Sequence, residues 1–120
     1  QSEMLRSKEM AIPTPTAVDL IRIIGDVIVR VDVLRSALDR NAPNRKKLDD
    51  LRDELDAAQR KLVRNGIDSQ TAEFATHMSA LKIQNNTLKA TIDSVGQLAR
   101  TLESLVAFTN IVQRIVALIA

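Results

Sequence analysis

The chain has 120 residues, 17 of them basic and 15 acidic, for a net charge of +2. That length suits one domain with a modest core. The absence of cysteine excludes disulfides and thiolate metal sites. Three glycines and three prolines are too few for the turns of a β-sandwich or barrel.

Basic and acidic residues are interspersed, which reads as a solvated surface rather than a nucleic-acid face. Phe74 and Phe108 are the only aromatic residues. The core must therefore be aliphatic, as in helix bundles and coiled coils. The expected fold is all-α: an antiparallel bundle of three long helices with coiled-coil-like packing, with a break of the third near Gly96 into a fourth as the alternative. Residues 1–15 read as a lead and 16–120 as the bundle, with helices near 17–40, 44–65 and 69–120.

The Pro13-Thr14-Pro15-Thr16 run favours an extended entry. Thr16 reads as an N-cap and Asp19, three residues on, as its reciprocal partner. From there Leu20, Ile24, Val27, Val31, Leu34 and Leu38 recur at steps of four and three, with Ile21 and Ile28 widening the stripe. The β-branched run Val27–Val33 competes as a strand, but its alternation is short beside the helical stripe. Ile23, Val29 and Val33 fall off that stripe, so this helix is expected to be the most buried element. Arg22, Asp26 and Arg30 stand on the other side at i,i+4 spacing, which allows them to pair.

Asn41–Asn44 separates the first helix from the second, and Pro43 is tolerated near a helix start. The second helix carries a narrow seam, Leu48, Leu51, Leu55, Ala58 and Leu62, under a dense coat of charge. It is expected to be an outer helix. Asn65-Gly66 marks its end, since Gly adopts positive φ readily, and Asp68 or Ser69 is the expected cap of the next helix. The short turn predicts antiparallel neighbours.

No proline follows Ser69. The seam Phe74, Met78, Leu81, Asn85, Leu88, Ile92, Val95 favours one helix to Ala120, continuous or kinked, about 75 Å long if straight. Ser94–Gln97 is the alternative break, with Ser94 as cap and Gln97 completing the box. Beyond Gln97 only Arg100, Glu103 and Arg114 are charged. The apolar face also rotates, from Leu98, Leu102, Leu105 and Val106 to Phe108, Ile111, Val112, Ile115 and Ile119. Either the helix changes packing partner inside a core, or its last turns offer an apolar face to another chain or a membrane.

No catalytic constellation is visible. His77 is the only histidine and has no cysteine or Glu-x-x-His pairing to make a metal site. The carboxylates Asp49, Asp50, Asp53, Glu54 and Asp56 read as a solvated helix face. Met4, Met10 and Met78 are too scattered for a methionine-rich binding surface. No phosphate loop or nucleophile elbow occurs. Neither enzyme activity nor a cofactor or metal is therefore expected.

Asn85, between Leu81 and Leu88 in the seam, is a candidate register setter. The expected function is a non-catalytic helical interaction or scaffolding module. Its partner would be another copy or another helical protein, with Leu105, Phe108, Ile111, Val112, Ile115 and Ile119 as the contact face beside Asn85. The alternative is a membrane-active helical protein whose C-terminal segment engages lipid. No stretch is apolar enough for an ordinary transmembrane helix, although Thr109, Asn110, Gln113 and Arg114 leave interfacial binding open. Nucleic-acid binding is not expected, and the composition leaves the compartment open.

Overall fold

A computed structural model describes residues 16–119, with Val95 through its backbone alone. The lead at 1–15, with Met4 and Met10, lies outside the described residues. The described chain is all-helical, with four helices and no strand: α1 (Ala17–Ser36), α2 (Arg45–Asn65), α3 (Ala72–Lys89) and α4 (Leu98–Val116).

Helix α1 starts as its sequence requires. Thr16 Oγ1 accepts from the Asp19 N–H at 3.2 Å, and Asp19 Oδ2 accepts from the Thr16 N–H at 3.0 Å. These reciprocal bonds occupy backbone donors that the helix cannot satisfy itself. Leu20, Ile24, Val27, Ile28, Val31 and Leu34 are buried. The Val27–Val33 run is helical, so the long apolar period prevails over local β propensity. The helix stops at Ser36, earlier than expected.

Helix α2 buries Leu48, Leu51, Leu55, Ala58 and Leu62, the narrow seam alone. Gly66 ends it at φ 71° and ψ 177°, and its N–H donates to the Leu62 carbonyl at 2.8 Å. This is the mirror of extended backbone rather than a left-handed helical cap. Helix α3 begins later than expected. Thr71 is its cap, accepting from the Phe74 N–H at 3.1 Å, while Asp68 Oδ1 accepts from Gln70 in the preceding turn.

The continuous third helix is corrected. The α-helix ends at Lys89, turns follow, and Val95–Gln97 forms a 3₁₀ turn before α4. Ser94 does not cap α4 through its side chain. Its carbonyl accepts from the Gln97 N–H at 3.0 Å instead. The cause is an accumulation of short polar side chains, Asn85, Asn86, Thr87, Thr91, Asp93 and Ser94, which offer the backbone competing partners. Thr91 Oγ1, for one, donates to the Leu88 carbonyl. Ile92 is buried within the turn and ties it to the core.

The helices form two hairpins, α1–α2 and α3–α4, joined where α2 packs along α4. Gln59 of α2 donates to the Ile21 carbonyl, and Arg35 near the end of α1 meets Asp49 near the start of α2, so this hairpin is antiparallel. The same Gln59 amide sits 3.0 Å from where a Cβ on Gly25 would lie. Gly25 thus leaves room for the Gln59 amide. Gln84 of α3 donates to the Ser104 carbonyl across the second hairpin. The C-terminal ends of α2 and α4 meet around Asn65–Asp68 and Leu118–Ile119, which makes these two helices parallel.

The most buried element is α4, not α1. It encloses Thr101, Leu102, Leu105, Phe108, Thr109, Val112, Ile115 and Val116, an arc of about 140° at 100° per residue. The Thr101–Thr91 hydroxyl bond at 3.0 Å and the Ser104 contact place α3 on one flank of this arc. The Leu102, Thr109 and Val116 flank turns toward α2. The rotating apolar face is thus the imprint of two packing partners.

Candidate functional site

Of the expected contact face on α4, Leu105, Phe108, Val112 and Ile115 are fully buried within the single chain, and Ile111 and Ile119 are half-buried. The fold brings these residues together, but on its inside. No helix among the described residues is long and apolar enough to cross a membrane.

Asn85 lies in the α3 seam between buried Leu81 and Leu88, where its Oδ1 is buried without a hydrogen-bond partner. Thr109 Oγ1 is likewise buried without one. A buried polar atom left unpaired costs about 1–3 kcal/mol. Thr109→Val, which keeps the shape and removes the hydroxyl, is expected to stabilise the chain by about 1 kcal/mol. Asn85→Leu should do at least as much. Thermal melts read both, and a lowered midpoint for Thr109→Val would show that the hydroxyl is satisfied in the folded chain.

Charged side chains concentrate where α1 ends and α2 begins. Asp32 accepts from Arg35 at 2.8 Å and from Arg52 at 3.1 Å. Asp49 accepts from Arg35 at 2.6 Å and from Arg45 at 3.3 Å. Arg45 also donates to the Leu38 carbonyl. The hydrogen bond from Arg35 is the main reason the Asp49 carboxyl sits below its ordinary pKa; desolvation opposes it, and the hydrogen bond from Arg45 adds a lesser lowering. A carboxylate lowered in this way contributes above its unfolded value and stops contributing as pH falls through its folded one. Each arginine is thus engaged, and the cluster fastens a hairpin rather than presenting a reactive group.

No group of three or more His, Asp or Glu side chains among the described residues is placed to hold a metal ion. His77 is half-buried on α3. A shallow depression of about 330 Å³ lies at the α2/α4 end, lined by Asn65, Gly66, Ile67, Asp68, Leu118 and Ile119.

Large apolar side chains are exposed singly at Val63 on α2 (66%), at Ile83 on α3 (69%) and at Leu118, and in a set of three on α1. Val18, Val29 and Val33 are 61%, 62% and 65% exposed. At 100° per residue they fall with Arg22 and Asp26 in an arc of about 80°, directly opposite the buried face. Arg22 reaches Asp19 only at 3.8 Å, and Arg30 turns to Asp93 at 3.2 Å. The Arg22–Asp26–Arg30 pairing that the spacing allows is not formed, and Asp26 has no ion-pair partner among the described residues. The off-stripe valines were visible in the sequence. Their periodicity reads equally as burial within the chain, and only the placement of α2, α3 and α4 shows that nothing in the described fold covers them.

The fold defines the class of the molecule as an all-α bundle of four packed helices. No protein-family model, no curated protein and no solved structure matches this chain.

Proposed function

We propose that the chain is a non-catalytic helical interaction module, self-associating through the outward face of α1 rather than through α4. The observation that carries this reading is the set of three exposed valines on one side of one helix. Valine is a weaker helix former than alanine by about 0.5 kcal/mol per position, and at exposed sites nothing in the folded chain returns that loss. A partner helix would. The four enclosed residues of the α4 face serve the core in this reading, and Asn85 would set the register of the α3–α4 pair inside the chain.

Light scattering across a dilution series tests the reading. The expected result is a mass that rises with concentration. In Val29→Asp with Val33→Asp it should stay at the single-chain value up to roughly 1 mM, the range of weak complexes, while helicity and melting temperature are kept. A wild-type chain that remains monomeric at that concentration would overturn the proposal. So would a double variant that associates like the wild type.

A further inference from the structure

We infer that α3 is a lid: it swings off α4 as a unit while α1, α2 and α4 stay packed. Helix α3 is held more loosely than α1. It buries four apolar side chains, Phe74, Met78, Leu81 and Leu88, where α1 buries six. The helix it packs along is α4. It carries Glu73, His77, Lys82 and Lys89, yet among the described residues no ion pair reaches it. Its side-chain hydrogen bond to another helix runs from Gln84 to the Ser104 carbonyl, at 3.3 Å. In its seam the Asn85 oxygen is buried without a partner, and opening would return that atom to water. The α1–α2 pair, by contrast, is tied by Arg35 to Asp49, by Arg52 to Asp32 and by Gln59 to the Ile21 carbonyl.

Both ends of α3 are built to turn. Ahead of it lies loop 66–71, which starts at Gly66 with φ 71°. Six residues reach about 20 Å when extended, which gives that end its slack. Behind it, residues 90–93 form turns rather than helix. This second end is a fixed pivot: Ile92 is buried, the Thr101 hydroxyl bonds Thr91, and Arg30 reaches Asp93 at 3.2 Å. A few residues at element ends suffice to absorb such a motion. Opening uncovers the α3 flank of α4, with Phe108, Val112 and Ile115, all fully enclosed when α3 is in place. The lid therefore shuts away the face that the sequence marks as a contact surface.

The motion leaves the outward face of α1 untouched, so it is read at a dilution where the chain is monomeric. The chain has no cysteine, and single thiols report exposure cleanly. Val112→Cys places a thiol under α3 and Val31→Cys one on α1, both at fully buried positions. With iodoacetamide under native conditions, Val112→Cys should react at least tenfold faster than Val31→Cys, once each rate is referred to that variant's own global stability. Equal rates, or a faster Val31→Cys, would overturn the inference. Arg35→Ala, which cuts the ties between α1 and α2, should speed Val31→Cys about fivefold and leave Val112→Cys unchanged. Equal acceleration of both would make the opening global and overturn the inference as well. Hydrogen exchange on the unsubstituted chain reads the same state should a cysteine variant fail to fold. The slowest α3 amides should exchange at least tenfold faster than the slowest of α1 and α2, and one common rate for all the helices would refute the lid.

Discussion

Replacing Phe108 and Ile115 together by Asp is expected to unfold the chain. Read from sequence, the same pair of changes would have produced a folded species of lower mass, because both residues belonged to an apparent external face. In the fold both are fully enclosed, on the α3 flank of the helix that also packs on α2. Truncating a buried Phe costs about 3–5 kcal/mol by itself. Adding two carboxylates with no cation beside them raises the loss further. A domain of this size has about 5–15 kcal/mol to lose. Circular dichroism should show little helix at 25 °C for the double variant. Ile111→Asp, at a half-buried position, should remain folded. A double variant that keeps its helicity and loses mass would show that α4 does not build the core.

Gly66→Ala is expected to destabilise by about 1–3 kcal/mol, a large effect for one exposed methyl group. Nothing lies within 4 Å of where the new Cβ would stand, so no steric contact with a neighbour is involved. The loss comes from the backbone alone. At φ 71° and ψ 177° the chain occupies a region that is essentially glycine's own. The rest of the fold fixes that conformation, because Gly66 turns the chain from α2 toward α3 and so joins the two hairpins. A D-alanine at the same position prefers this mirror-image region, and a semisynthetic chain carrying it should melt at or above the glycine form. Equal destabilisation by both enantiomers would refute the backbone explanation.

Much of the architecture is written in local patterns. Thr16 and Asp19 announce the start of α1, and the seam of α2 is buried residue for residue because a narrow stripe under dense charge has only one face to hide. The break between α3 and α4 was harder to see. It has no proline and one glycine, Gly96. Its signal is the gradual build-up of short polar residues from Asn85 to Ser94, each a weak helix breaker. The candidate surface was less legible still. An apolar stripe says that a face wants cover but does not say whose. On α4 the cover comes from α2 and α3, so an apparent interface became a core. On α1 the valines that promised burial all round point away from every other described helix. Sequence periodicity gives the angle of a face, and only tertiary packing gives its neighbour.

The pairing of α2 with α4 also bears on how the protein is made. The first hairpin emerges from the ribosome complete, ion-pair fastening included, while the helix that closes over α2 is still unsynthesised. At about 5–20 residues per second, roughly 3–10 s separate the end of α2 from the end of α4. Through that interval the side of α2 that packs on α4 lacks its final cover. A premature stop ahead of Leu98 would make that interval permanent. Its product would be a half-built bundle with an open apolar groove, a substrate for chaperones and proteases rather than a shorter working version of the protein.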